Sequence, residues 1–171
     1  MKKLFYILSL LFLFACSGSQ TKPSMYLTQG PRTTMERIVD TFEMRLVDKA
    51  GISAIVLTFT DISGKVHPDG DLLAEKLSTE LAKREKITIL DRLVFQKKLE
   101  ENSLDLKGGA DLNKIKKIGK VLEVDYVVIG LMSSYAGGYD INCRLVDTKT
   151  GHTLSAEESF YQLDTTSPQG F

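Results

Sequence analysis

One nearly continuous apolar run constrains the fold of this chain more than any other segment. Residues 52–59 read ISAIVLTF, a stretch that is rich in β-forming residues and carries no charge. A strand with one solvated face alternates apolar and polar residues, whereas near-continuous apolarity is typical of a strand covered on both faces. The segment therefore predicts a strand in the middle of a mixed or parallel sheet.

A helix is predicted immediately before this strand. Thr33 and Glu36 have the spacing of a capping box, which marks a helix start. Gly51 is expected to end the helix, because glycine readily adopts the left-handed conformation found after helix C-termini. Apolar residues recur at helical intervals between these limits, at Met35, Ile38, Val39, Phe42, Leu46 and Val47.

Three further helices are predicted after the strand. They span about residues 71–84, about residues 91–99, and a segment that opens at Asp111. Asp91 is expected to cap the second of these three, and Asp69 or Asp71 the first, since Asp is strongly preferred at helix N-caps. The last helix is expected to turn four apolar side chains inward, namely Leu112, Ile115, Ile118 and Leu122.

Four more strands complete the predicted sheet. A short one covers residues 87–90, and three longer ones follow the last helix, at about 126–132, 139–146 and 152–161. Gly151 is placed for a positive φ angle in a tight hairpin turn. The pattern predicts a single α/β domain (α+β mixed) with a five-stranded mixed sheet, about four helices and an antiparallel C-terminal meander.

The first sixteen residues predict where the protein works. Lys2 and Lys3 form a positive region, and the largely apolar residues 4–14 lead into a lipobox-like LFAC motif. The apolar run is too short for a transmembrane helix, which needs about 20 residues. We therefore expect residues 1–15 to be a lipoprotein signal peptide and Cys16 to be the acylated residue, with plain secretion and a retained anchor as alternatives.

The segment after this signal has the composition of a linker. Residues 16–31 are rich in Gly, Ser, Thr, Gln and Pro and show no periodicity, which predicts a flexible tether. The folded domain is expected to span residues 32–171, long enough for one hydrophobic core. Ser17, directly after the acylated cysteine, is typical of an outer-membrane destination, so the domain is expected to face the periplasm.

Charge and cysteine content exclude several functions. Without Lys2 and Lys3 the chain has 20 basic and 22 acidic residues, a balance that provides no reason to expect nucleic-acid binding. Acylation of Cys16 would leave Cys143 alone, so no intramolecular disulfide is possible. Cys143 lies in an alternating run and shares its face with Tyr139, Ile141 and Leu145, which predicts a buried small apolar residue rather than a reactive thiol.

Catalytic and metal-binding patterns are sparse. The only histidines, His67 and His152, lie in or beside turns and are expected to be solvated, and with Cys143 they lack metal-ligand spacing. No complete phosphate loop or nucleophile elbow is present. The sequence therefore predicts no catalytic residue, no metal, no cofactor and no small-molecule substrate. The basic side of the last helix is interpreted as solvated rather than as a membrane or partner surface (Lys114, Lys116, Lys117 and Lys120).

Four acidic residues follow the central strand, where open α/β sheets usually bind ligands. They are Asp61, Asp69, Asp71 and Glu75. We interpret them as one helix cap and several solvated carboxylates. An enzyme that used this loop is the alternative, and it predicts a concave acidic pocket there.

Five segments follow one another along the chain: AIVLTFTDISG (54–64), LAEKLSTEL (73–81), ITILDR (87–92), IGKVLEVDYVVIG (118–130) and RLVDTKTG (144–151). Together they resemble the FlgO and CsgG-type outer-membrane lipoproteins, and the resemblance covers roughly residues 33–160. The shared positions look structural: three glycines suit turns or close packing, and two aspartates suit caps (Gly64, Gly130, Gly151, Asp91 and Asp125). At position 123 the family often has Gly whereas this chain has Glu, which leaves the local turn geometry open.

The resemblance implies a non-enzymatic, lipid-anchored accessory of flagellar assembly or motility that docks to an envelope protein or to copies of itself. The LpoB-like lipoproteins, which activate peptidoglycan synthases, share the broad fold and provide an alternative function. A CsgG-like secretion pore is the third. It would require a spare pair of membrane-spanning strands of about 9–11 alternating residues each, and every apolar run is already assigned to the domain.

Overall fold

The computed structural model describes residues 32–49, 51–106 and 111–163. Within them one sheet has the strand order β2-β1-β3-β4-β5, with β1 parallel to β2 and β3 and the other pairs antiparallel. The strands are β1 Ile52–Val56, β2 Ile87–Ile89, β3 Tyr126–Tyr135, β4 Gly138–Asp147 and β5 Thr153–Gln162, and the helices are α1 Thr34–Arg45, α2 Gly70–Ala82, α3 Arg92–Glu101 and α4 Leu112–Leu122. The predicted fold class is confirmed. The lipidation site Cys16 and the tether lie outside the described residues.

The central strand is covered on both faces, as its apolarity predicts. Ala54 and Val56 belong to a hydrophobic cluster formed with α1 and α2. Ile55 and Leu57 point the other way, into a second cluster formed with α3 and α4. Because successive side chains of a strand alternate between the faces of a sheet, β1 lies between two helical layers.

The meander of β3, β4 and β5 is covered differently on its two faces. Four alternating residues of β4 are buried in the first cluster, namely Tyr139, Ile141, Cys143 and Leu145. Helix α1 lies against β5 on this side, where Thr41 Oγ1 donates to Glu157 at 3.2 Å. Asp140 and Arg144, which alternate with these residues on β4, and Glu158 of β5 are exposed on the opposite face. We call that side of β3–β5 the open face.

Two of the predicted helix features are wrong in detail. Helix α1 ends at Arg45, with Leu46 as its C-cap, well before Gly51. Val47 is 61% exposed, so no apolar stripe continues beyond Leu46. Leu112, which was expected to face inward, is 48% exposed at the first residue of α4. A Cβ on Gly151 would lie 1.7 Å from Leu112 Cδ1, so this side chain lies over the β4–β5 turn and not in the core.

The capping predictions have mixed outcomes. Thr33 and Glu36 form the predicted capping box. Asp91 caps α3 by accepting from the backbone N–H groups of the next turn. Asp125 is not a helix cap, because its carboxylate instead accepts from the N–H and the hydroxyl of Ser53, at 3.1 and 2.9 Å. These bonds join the start of β3 to the start of β1.

The motif glycines have packing roles. A Cβ on Gly130 would lie 2.2 Å from the ring of Phe59, so the Phe59 ring fills the space that a side chain at position 130 would need. Gly151 has the predicted positive φ, at 77°. Glu123 is the left-handed C-cap of α4, at φ 57°. Glycine would have no steric cost in that conformation, and the turn keeps its left-handed geometry with Glu at this position.

Candidate functional site

The four acids that follow β1, interpreted from the sequence as one helix cap and several solvated carboxylates, do not form one site. The guanidinium of Arg92 donates to a carboxylate oxygen of Glu75 and, at 3.1 Å, to Asp71. It also donates to the hydroxyl of Thr58 at 2.8 Å. Both carboxylates are more than half exposed, whereas the Arg92 side chain is 14% exposed. The cluster joins α2 to α3 and was not predicted, because the two segments are separated in sequence.

The remaining two acids have other partners. Asp69 is the N-cap residue of α2 but makes no capping bond. It accepts instead from the hydroxyl of Tyr139, which raises the pKa of that phenol. Asp61 accepts from the Ser63 hydroxyl at 2.6 Å and from the Lys65 N–H at 3.0 Å, and these bonds lower its pKa. The four acids therefore do not form the concave acidic pocket that the enzymatic alternative predicts.

The histidines and the cysteine lie in different environments. His67 is half-buried and not simply solvated, because Nδ1 accepts from the Asp69 N–H at 3.2 Å and the ring contacts Tyr139 edge-on. His152 is exposed. Cys143 is fully buried, as predicted, and burial raises the pKa of its thiol. In the part of the chain that the structure describes, no three His, Cys, Asp or Glu side chains group as a metal site.

A groove lies beside the open face, where the loop after β1 continues along β3. Thr60 donates its N–H to Gly130 O at 3.0 Å and accepts from the Met132 N–H at 2.8 Å. This pairing continues the line of β1 along β3 as far as Thr60 and places residues 60–64 next to α4. The groove between them has a volume of about 350 Å³ and is lined by Thr60, Asp61, Ile62, Gly64, Leu112, Ile115, Ile129, Leu131, Arg144, Val146, Gly151 and Thr153.

The groove combines apolar walls with one exposed cation. Ile62 is 89% exposed and Leu112 is 48% exposed, so both apolar side chains face solvent. Arg144 is on β4, and its Nε donates to Asn142 Oδ1 of the same strand at 3.1 Å. Large exposed apolar groups that line a concavity indicate a contact surface. The lining also includes the carboxylate of Asp61, so the two charged groups of the groove have opposite signs.

Sequence reasoning missed this groove. Ile62, an apolar residue within a polar loop, was the one local signal for it. The convergence of Leu112 from α4 and Leu131 from β3 depends on the packing of the helix against the sheet. The lysines of α4 divide between environments, since Lys117 and Lys120 are exposed whereas Lys114 and Lys116 are half-buried.

Comparisons with known proteins agree with this architecture. The family model of the FlgO protein matches residues 32–166, and no curated protein matches the sequence. The LpoB C-terminal domain from Salmonella enterica superposes with a TM-score of 0.63 at 17% identity, covering 75% of this chain and 96% of that chain. The Escherichia coli domain superposes with a TM-score of 0.57 at 13% identity, covering 76% and 99%. At these identities the likeness shows a shared fold.

The described helices do not include a membrane span, because none of them combines sufficient length and apolarity. The family model covers most of the sequence and nearly all of the described domain. On this evidence the chain belongs to the FlgO family and has the fold of the LpoB C-terminal domains.

Proposed function

We propose that this protein is a non-enzymatic lipoprotein of the bacterial envelope that works by docking to another envelope protein. The observation that carries the proposal is the groove, which presents Ile62 and Leu112 to solvent beside Arg144. Family membership and the lipobox support an envelope location. The dispersed acids and the buried thiol provide no catalytic constellation among the described residues.

In this proposal Cys16 is acylated and anchors the protein in the outer membrane, and residues 32–171 form the domain that faces the periplasm. The Cys16→Ser variant should release a folded domain from the membrane, which fractionation followed by circular dichroism would measure. A variant that stays fully membrane-bound would contradict the lipid anchor. The specific role is accessory to flagellar assembly or motility, as in the FlgO type.

The groove provides a direct test of the docking function. In a motile host lacking the gene, a protein with Ile62→Asp and Leu112→Ser should fail to restore swimming, because a charge and a polar group replace the apolar contacts. Leu93→Asp is the matched control, since Leu93 is 76% exposed but does not line the groove. Both variants should have wild-type abundance and thermal stability. Normal swimming with the groove variant would contradict the proposal.

An LpoB-like activator of a peptidoglycan synthase is the second candidate, and the shared fold favours it. Loss of the gene would then leave motility normal and alter cell-wall crosslinking. A CsgG-like secretion pore has less support, because all five described strands belong to a single sheet with helical cover. Ring-shaped particles with ion conductance in planar bilayers would establish a pore, whereas a non-conducting monomer would exclude it.

A further inference from the structure

Exposed apolar side chains gather at one end of the meander, where β3 turns into β4. We call this group the meander tip and define it by Tyr135, Phe160 and Leu163, which are 68%, 37% and 41% exposed. The rings of Tyr135 and Phe160 meet edge-on with centroids 6.3 Å apart. Gly138 leaves room for this contact, because a Cβ at that position would lie 2.7 Å from Phe160 Cζ.

The backbone holds this tip in place. The N–H of Leu163 donates to the carbonyl of Gly137 at 2.9 Å, which fixes the residue after β5 against the β3–β4 turn. Gly137 has a φ of 80°, a turn conformation that costs glycine nothing. The apolar side chains are therefore presented by a hydrogen-bonded framework.

The first described residues lie at the same end of the domain. The hydroxyl of Thr34, the first residue of α1, donates to the carbonyl of Phe160 at 2.7 Å. Arg32, only two residues earlier, is the first described residue, so the described domain begins beside the tip. The other end of α1, near Val47, is about 18 Å away along the helix axis.

We propose that the meander tip rests on the membrane interface and orients the domain there. The inference depends on the proposed lipid anchor at Cys16. A tether of residues 17–31 extends at most about 50 Å, and the described domain begins beside the tip. Aromatic residues with an apolar body and a polar edge are enriched at membrane interfaces. A weak contact becomes effective when the tether raises its local concentration.

The charge of the tip predicts which lipids it meets. Residues 133–140 and 158–163 contain no Lys or Arg, and their charged members are Asp140 and Glu158. Arg32, which lies beside the tip, is paired with Asp40. We therefore expect the contact to be apolar and independent of salt. The groove stays accessible in this orientation, because Ile129 lies about 20 Å from Tyr135 along β3.

The absence of tryptophan from the chain makes a sharp experiment possible. Tyr135→Trp and, separately, Val47→Trp each introduce a single fluorophore into the full-length lipidated protein. Val47 is the matched control, since it is also exposed and apolar but follows the far end of α1. Both proteins are reconstituted into zwitterionic phosphatidylcholine vesicles, with and without bromine on the acyl chains. Bromine should reduce the emission of the tryptophan at position 135 by at least twofold and leave that at position 47 unchanged, at low and high salt.

Three results would overturn the proposal in distinguishable ways. If the protein floats with vesicles while the tryptophan at position 135 is not quenched, the anchor stands and the tip contacts something other than lipid. Quenching that appears at low salt but not at high salt would show an electrostatic contact and refute the apolar one. Failure of the full-length protein to float would overturn the lipid anchor and the tip contact together.

Discussion

The two halves of the sheet bury their strands to different extents. In the half made of β1 and the start of β3, helices cover both faces, and Ile55 and Val56 are almost completely buried, while Thr88 of the neighbouring edge strand β2 is exposed. In the half made of β4 and β5, α1 covers one face, and the other presents Asp140, Arg144 and Glu158 to solvent. Strand β3 belongs to both halves, since its first residues are buried and its last three are exposed.

This difference separates the side chains that stabilise the fold from those that are available for interaction. Burial of apolar surface is the main stabilising contribution to folding, so side chains between two layers cannot change without a large cost. The exposed side chains of the open face and of the groove contribute little to the core, although Ile115 and Val146 at the base of the groove are buried. The groove residues Ile62 and Leu112 and the tip residue Tyr135 all lie outside the doubly covered half, where substitution can alter contacts and preserve the fold.

The largest expected effect contrasts two residues of α4. Ile118 is fully buried in the second hydrophobic cluster, whereas Leu112 is 48% exposed over the groove. Ile118→Ala should lower the free energy of unfolding by about 2–5 kcal/mol, because it removes buried contacts and leaves a cavity. Leu112→Ala should cost less than about 1 kcal/mol. Urea unfolding measures both values, and equal costs would contradict the division into two halves.

A smaller effect is expected where β3 passes from one half to the other. Gly130→Ala places a methyl group against the ring of Phe59, 2.2 Å from Cδ1 before any relaxation. Such overpacking should lower the free energy of unfolding by about 1–3 kcal/mol. Ser133→Ala, three residues further along β3 and exposed, is the control and should change it by less than about 0.5 kcal/mol. A neutral Gly130→Ala would mean that Phe59 moves freely, and the boundary would be less tightly packed than proposed.

The smallest effect concerns pH and the β4–β5 turn. Burial raises the pKa of Asp147, but hydrogen bonds from the Thr150 N–H and hydroxyl and from the Lys149 N–H outweigh it and lower the pKa below its usual value. The stabilisation from this carboxylate is thus complete above the unfolded-state pKa of about 3.9 and is lost as the pH falls through the lower folded-state value.

Asp147→Asn should therefore be less stable than the wild type at pH 7, and the difference should shrink as the pH falls below about 4. Urea unfolding at pH 7, 5, 4 and 3 measures this trend. Asp140→Asn, an exposed change on the same strand, serves as the matched control. A difference that stays constant down to pH 3 would contradict the role of the charged carboxylate in the turn.

Most of the fold could be predicted because its signals are local. The apolar run at residues 52–59 predicted a strand covered on both faces, and Thr33, Asp91 and Asp111 each cap a helix as their spacing indicated. Gly151 adopts the positive φ that its hairpin requires. The end of α1 was misplaced because nothing local stops the helix, which ends where Leu46 completes the buried stripe.

The candidate site was much less predictable. The acidic residues near β1 were interpreted as one helix cap and several solvated carboxylates, but three of them pair with Arg92 or Tyr139. Both partners come from distant segments of the chain. The groove and the meander tip likewise join residues from separate elements, and no spacing rule connects Leu112 with Leu131 or Thr34 with Phe160.

The sequence by itself determined the order and kind of the elements, the buried state of Cys143 and the family to which the chain belongs, because these depend on periodicity and on motifs read along the chain. Only the tertiary structure decided which face of the meander stays open, that Leu112 faces a groove and not the core, and that the described domain begins beside the tip. Helices α1 and α4 set these features by where they pack on the sheet. That placement depends on contacts between residues far apart in sequence, which no local pattern records.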